Sequence, residues 1–412
     1  MTDNQPIVLD PAGTDIHGEI ARIRELGPAG RVELPGGVVV WMVTDYAILR
    51  RLMTDPQVSK EPQDWTTLRE GRIPADWVMT PWIGLRNMLR SSGEDHARLR
   101  KAVGPAFSTR RVQALQPRIE AMVSDLLDAL ADTPDGDIAD LRADFARPLP
   151  IKVITELMGV PSEIGTPLCE HADGTLDTSA PPEQVQKDFM ALLELVGRLI
   201  AYKREHLGDD LTSTLITGPD EATGPLLSDQ ELLDTLTLII SAGHETTVNL
   251  IDQTILALLT HPQARAAALA GEVEWEEVIE ESLRWQSPIA NMPFRFARVD
   301  LDLGGGVRIP KGEAILASFA GANRDRKAFG RSAGEFNPSS DRETGSRGHL
   351  AFGYGMHHCL GAPLARLEAR IALPALLSRF PELRLASAAD ELRPMQNFVM
   401  NGHQALPVRL SA

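Results

Sequence analysis

Two cysteines in 412 residues leave no room for a disulfide framework, and that scarcity points to a reducing compartment. Basic charge is short as well: 41 Lys and Arg face 57 Asp and Glu, a formal net charge of −16. Such a surface disfavours phosphate backbones and anionic lipid, so no nucleic acid is expected as a partner. No apolar run reaches the roughly 18–20 residues that a membrane span needs. Met1–Ala21 has no basic segment leading into an apolar stretch, so neither a leader nor a membrane anchor is expected, and the expected location is cytoplasmic.

What remains is an ordinary globular composition, 43% hydrophobic and 24% charged, on a chain long enough to bury a large core. No repeat or linker divides it, so one domain over residues 1–412 is expected. Val38–Val43 is β-branched and apolar after Pro35-Gly36-Gly37, which predicts a hairpin strand with a helix over 45–53 behind it. Residues 60–92 carry Trp65, Trp77 and Trp82 among prolines and glycines; the stretch reads equally as a functional loop or a packed connector. From Asp95 to about Gly208 the pattern is helical, broken at Pro105, Pro134, Pro161 and Pro181-Pro182. Ser228 and Glu231 have capping-box spacing. From there the apolar pattern runs to Thr260 and predicts one buried helix of about 33 residues, ~50 Å long. A helix over 274–285, short strands near 294–297, 301–303 and 314–318, a polar loop over 330–350 and a last helix over about 360–377 complete a mainly α fold with small β-sheets.

The most informative stretch is Phe352-Gly353-Tyr354-Gly355-Met356-His357-His358-Cys359-Leu360-Gly361. Gly353, Gly355 and Gly361 permit conformations and close approaches denied to other residues, and Pro363 suits a first helical turn. The loop thus sets Cys359 at a helix start, whose free N–H groups and positive dipole end favour a thiolate. A thiolate in such a cradle suits haem iron, to which it donates electron density. Most unpaired cysteines are small core hydrophobes instead. That is the reading for Cys169, in Pro167-Leu168-Cys169-Glu170.

The stretch resembles the haem-binding signature of the cytochrome P-450 superfamily, Phe-Gly-x-Gly-x-His-x-Cys-x-Gly, at every fixed position. The resemblance implies a single-domain cytochrome P-450 fold, haem b (iron protoporphyrin IX) as cofactor and Cys359 as the iron ligand, with Phe352 and Gly361 beside it. Ala242-Gly243-His244-Glu245-Thr246-Thr247 is similar to the family's oxygen-activation motif. A glycine, an acid and two threonines are poor choices inside an apolar helix, and such conflicts mark functional sites. By resemblance Thr246 faces the oxygen site, Glu245 helps relay protons and Ala242 lies against the haem. His96, Arg100, Arg295 and His349 resemble cations that hold haem propionates, a strong kind of hydrogen bond where Arg meets a carboxylate. Glu281 and Arg284 resemble the family's buried ion pair, with Arg342 as a third member and Arg347 as the alternative. Ala322-Asn323-Arg324-Asp325 resembles a structural turn without chemistry.

The implied activity is insertion of one oxygen atom from O2 into a lipophilic small molecule, by hydroxylation or epoxidation, in secondary metabolism. No flavin- or ferredoxin-like extension is expected, and Leu303-Gly304-Gly305-Gly306-Val307 does not read as a dinucleotide fingerprint. Electrons are therefore expected from a separate ferredoxin or similar protein. Arg98, Lys101, Arg110, Arg111, Arg366 and Arg370 form the cationic face expected to dock it. The substrate pocket is expected from loop 60–92, Leu238–Gly243, Ile289–Met292 and Phe398–Met400, so Leu238, Ile289, Met292, Phe398 and Val399 should touch substrate. Two other readings stay open: a peroxide-driven or isomerising haem-thiolate enzyme, and a non-enzymatic haem sensor or electron carrier. The Glu245-Thr246 pair argues against the first, and a buried distal helix beside a pocket-forming loop against the second. Cys359→Ser or Cys359→His should abolish the thiolate-type haem spectrum, while Cys169→Ser leaves it intact. Loss of the red-shifted Soret band of the reduced carbonyl complex in the Cys169 variant would contradict the ligand assignment.

Overall fold

The β-branched run pairs as its alternation requires. Ala29–Leu34 and Val38–Val43 form an antiparallel hairpin, turned by Gly36 and Gly37, both at positive φ, where a side chain would be strained. The computed structural model describes residues 5–134, 136–218, 226–339 and 346–411. The hairpin belongs to a six-stranded sheet with Ile7–Val8, Val58–Ser59, Asn291–Ala297 and Ala314–Ser318. Two smaller sheets have three and two strands.

Helices form the bulk of the molecule. Chief among them are α1 (Gly93–Val103), α2 (Gln116–Ala131), α3 (Pro148–Met158), α4 (Ser162–Gly174) and α5 (Pro182–Glu205), followed by α6 (Asp229–Gly243), α7 (Glu245–Thr260), α8 (Trp275–Trp285) and α9 (Ala362–Arg379). Pro148, Pro182 and Pro363 lie in first turns, where a missing N–H costs little. α2, α7, α8 and α9 share one apolar core through Leu127, Leu250, Ile255, Leu283 and Leu373. α3 to α6 share another through Ile154, Leu168, Leu199 and Leu236. The junction between α6 and α7 therefore lies between two cores. No helix among the described residues is long and apolar enough to cross a membrane.

The single helix expected from 228 to 260 is two. Ser228 and Glu231 form the capping box, but the backbone leaves helical geometry at His244, with φ −115° and ψ −57°, and restarts at Glu245. Side chains take carbonyls there. The Thr246 hydroxyl donates to Ala242 O at 3.0 Å, and His244 Nδ1 lies 2.9 Å from Ile240 O. Such insertions into the carbonyl ladder interrupt helices. Gly243 fits closely: a Cβ there would lie 2.7 Å from Ile154 Cδ1 on α3. The apolar pattern could not reveal this break, because both halves remain buried on either side of it.

Residues 60–92 divide between core packing and cavity lining. Trp65 is fully buried and Trp77 nearly so. Both rings pack against Phe294, and Trp77 Nε1 donates to Pro35 O at 2.7 Å. This half is a packed connector, while the half around Trp82 to Leu89 reaches the cavity described below.

On α8, Glu281 and Arg284 are completely buried and bidentate, at 2.7 and 2.8 Å. Arg284 also donates to the carbonyls of Asn323, Ala333 and Glu335, so all five of its N–H groups are engaged. The turn at Asn323 and the loop at 333–335 are thereby tied to α8. Arg347 stands elsewhere, 3.4 Å from Glu276 on the exposed side of α8; Arg342 lies outside the described residues. Arg284→Met should destabilise the protein by roughly 3–5 kcal/mol, the cost of stripping one partner from a buried pair. Denaturant unfolding checks this, and a midpoint unchanged from wild type would contradict it.

Candidate haem-thiolate site

Two glycines shape the cysteine loop. Gly353 and Gly355 both have φ of +73°, and a Cβ on Gly355 would lie 2.8 Å from Thr54 Cγ2. Gly361 differs from expectation: its φ is −76° and a Cβ there would make only ordinary contact, 3.7 Å from Cys359 Sγ. The Cys359 N–H donates to Phe352 O at 2.8 Å and closes the loop. Burial pushes the Cys359 thiol pKa up; the N–H groups of Gly361 and Ala362, and the charges of Arg100 and Arg366, offset only part of this. A metal cation on the sulfur would favour the thiolate.

Cys359, Phe352 and Gly361 line a cavity of about 240 Å³ whose wall also includes Ala242, Gly243 and Thr246 from the α6/α7 junction. An adjoining chamber of about 90 Å³ shares Leu238, Ile289 and Met292 with it and adds Trp82 and Asn87 from the 60–92 segment. Phe398 and Val399 do not line either space. Both are fully buried in the core under the large sheet, where Val399 O accepts the Ala290 N–H at 2.8 Å. Met400, bridged to Ile289, is the residue of that segment on the chamber wall.

One part of the cavity is crowded with positive charge. Arg100, Arg295 and Lys60 line it, together with His96, whose pKa burial lowers. Arg90 is buried behind, giving hydrogen bonds only to the carbonyls of Pro293 and Phe294. Among the described residues no carboxylate pairs with any of these groups, and His96 Nε2 and Arg90 Nη2 are buried without a hydrogen-bond partner. The strain shows in their proton affinities. Burial lowers Arg295 to about 10, and burial with the Arg295 charge lowers Arg90 to about 9. Burial and both arginines depress Lys60 far below the usual lysine value. His357 lies against His96, with ring centroids 4.2 Å apart, and is held neutral by burial and the surrounding cations. Buried cations require compensation, and a ligand with two carboxylates, such as haem with its propionates, fits this end.

His349 belongs to a different group. It lies outside the cavity lining, with Nε2 3.3 Å from Glu280 Oε2. Arg366 grips the same carboxylate at 2.6 and 2.9 Å and stacks 4.5 Å over the Phe352 ring. Against the effect of burial, His349 and Arg366 hold the Glu280 carboxyl down at about 2. Glu245 also points elsewhere. Thr246 lines the cavity, but Glu245 is buried outside it, 2.5 Å from Arg142 Nη2. Burial raises its pKa, and Arg142 counteracts this.

Lys60, Arg90 and Arg142 escape sequence reading. A lysine at the end of a short edge strand is the only hint for Lys60, and nothing local links Arg142 to an acid 103 positions away. The cationic face is thinner than expected. Arg98 is engaged by Asp95 and Glu231, Arg111 lies 3.5 Å from Asp209, and Arg366 is taken by Glu280. Lys101, Arg110 and Arg370 are exposed.

The family model for cytochrome P450 matches residues 275–405. The chain is 42% identical to 2-hydroxy-5-methyl-1-naphthoate 7-hydroxylase of Streptomyces carzinostaticus, over 98% of this chain and 97% of that protein. It is 40% identical to the cytochrome P450 monooxygenase PikC of Streptomyces venezuelae, over 99% and 95%. Its fold superposes on CYP154A1 from Streptomyces coelicolor with a TM-score of 0.91 and 45% identity, covering 98% of this chain and 100% of that one. Identity at that level along nearly the whole of both chains settles membership: the chain belongs to the cytochrome P450 family.

Proposed function

We propose that this cytochrome P450 monooxygenase takes haem b on Cys359, receives electrons from a separate ferredoxin-like protein, and oxygenates a lipophilic secondary metabolite. The supporting observation is the convergence in one cavity of the cysteine loop, the Thr246 hydroxyl and a cluster of cations without protein counter-ions. Haem, when bound, supplies the redox chemistry that activates O2. Lys60, His96, Arg100 and Arg295 would hold its propionates, with Ala242 and Phe352 against its faces and Gly361 beside the ligand.

The other tasks fall to the chain itself. Leu238, Ile289 and Met292 give the shared wall its apolar character, which excludes water and favours a substrate of matching polarity. Thr246 spends its hydroxyl proton on Ala242 O, so its lone pairs are free to accept from a group in the cavity. Glu245, raised by burial and tethered by Arg142, is suited to carry a proton toward that hydroxyl. The names of relatives, a 2-hydroxy-5-methyl-1-naphthoate 7-hydroxylase and the 6-deoxyerythronolide B hydroxylase of Saccharopolyspora erythraea, support a lipophilic substrate of medium to large size. Lys101 and Arg110 offer a docking surface for an acidic electron donor. The helix Thr109–Ala114, which bears Arg110, packs against α9 behind Cys359. A cytoplasmic setting suits two unpaired cysteines.

Thr246→Ala should leave ligand-induced spin-state changes intact while diverting reducing equivalents to hydrogen peroxide. General acid–base help is typically worth about 10²–10⁴-fold, and water replaces part of it, so product per electron pair should fall roughly 10-fold. Comparing NADPH consumed, peroxide released and product formed checks this; unchanged coupling would remove Thr246 from the proton path.

A further inference from the structure

His244, at the break between α6 and α7, has two hydrogen-bond partners and both of them are acceptors. Its Nδ1 lies 2.9 Å from Ile240 O, and its Nε2 lies 2.6 Å from Asp173 Oδ1. A carbonyl cannot donate, so Nδ1 carries a hydrogen. Asp173 also accepts from Arg147 Nη2 through Oδ2, at 2.8 Å, which favours its ionised form. Nε2 must then carry a hydrogen too. The fully buried His244 is an imidazolium, holding one proton more than a neutral ring.

Its neighbourhood leads from solvent to the oxygen site. The Asp173 side chain is 25% exposed, whereas that of Glu245 is 3% exposed. Ligand atoms of Asp173, His244 and Glu245 all lie within 4.8 Å of one another. They do not make a metal site, because Arg147 and Arg142 already answer the two carboxylates. We propose that His244 and Asp173 form a proton-loading pair for Glu245, feeding the Thr246 hydroxyl from the α4 side of the distal helix break. The proposal rests on the roles given above to Glu245 and Thr246.

The step balances simply. A proton leaves His244 Nε2 for Asp173 Oδ1 and crosses to the Glu245 carboxylate by a carboxyl rotation or one water. His244 becomes a neutral imidazole that keeps its Nδ1 hydrogen on Ile240 O, and Glu245 becomes a neutral acid. Solvent then reloads the pair through Asp173, and no electron moves. The ionisable groups facing His244 are Asp173 on α4, Arg147 just before α3, Arg142 in the turn ahead of it, and Glu245 on α7. Cys169, one turn before Asp173, has its thiol pushed up to about 12 by burial and remains neutral. Although burial opposes it, Asp173 and Glu245 raise the His244 pKa above the ordinary histidine value. The pair is therefore loaded at neutral pH and empties as pH rises through that raised value.

The test uses the holoenzyme with a surrogate ferredoxin and its reductase. It reads the fraction of reducing equivalents released as hydrogen peroxide against pH, in the presence of a surrogate substrate chosen for the low-to-high-spin shift that it gives. Wild type should hold a low, flat fraction through neutral pH and rise on the alkaline side. Asp173→Asn, at a partly exposed site, should move that rise to lower pH by about 1–3 units, the usual effect of losing an adjacent opposite charge. His244→Gln should raise the peroxide fraction at every pH and flatten the profile. Nitrogen NMR of labelled histidine in the reduced carbonyl complex should show a doubly protonated His244 in wild type and its earlier loss in Asp173→Asn. If both variants follow the wild-type profile while Thr246→Ala releases more peroxide, the loading pair is refuted and the Thr246 reading survives. If Thr246→Ala is silent as well, the oxygen-site reading fails and this proposal fails with it.

Discussion

Basic groups drawn wholly or partly out of water, with no carboxylate pairing them among the described residues, are the constraint on which the rest of the site depends. Lys60 follows an edge strand, Arg90 ends the aromatic connector, His96 and Arg100 sit on α1, and Arg295 is in the large sheet. They come from the large sheet and its edge, the connector and α1, so an anion that they shared would tie the sheet to the helices. The effective penalty for an uncompensated buried ion is several kcal/mol, and a ligand that binds only the folded state returns that cost as stability. On the proposed reading, folding and cofactor retention are in this sense one equilibrium, in which Cys359 would fix position and the basic groups would fix orientation.

The second organising feature is the junction of α6 and α7. It sits where two apolar cores meet, and it is broken by side chains rather than by proline. Gly243 lets α3 come close, Thr246 turns back to Ala242, and His244 is pinned between Ile240 and Asp173. The break presents Thr246 to the cavity and keeps Glu245 behind it. Thr246 faces the cavity while Glu245, Arg142, His244 and Asp173 form a polar layer outside it.

The parts legible in the sequence are those that make demands on the local backbone. Gly353 and Gly355 announce the cysteine loop because positive φ excludes most residues, and Glu281 with Arg284 announces a pair because three residues on a helix share a face. Val38–Val43 and Ala314–Ser318 show their burial in their composition. What stays hidden depends on partners far along the chain. His349 has the right distance from Cys359 for a cavity residue, yet it stands outside the cavity lining, with its Nε2 3.3 Å from Glu280 Oε2 and without a hydrogen bond. Phe398 and Val399 are as apolar as a pocket wall and lie in the core instead. The helix break at 244 leaves the apolar pattern intact, and Arg142 meets Glu245 only in three dimensions.

The most direct test of the account is how tightly the protein holds haem compared with haem dimethyl ester, in which both propionates are neutral. Transfer of each from the protein to a competing haem acceptor gives the two retention constants. Charge-assisted hydrogen bonds are worth roughly 1.5–3 kcal/mol each. The ester should therefore be held about 10²-fold more weakly, and Arg295→Met should narrow the gap. Equal retention of the two, with the thiolate spectrum present in both, would show that the buried cations are not there to meet a dianion.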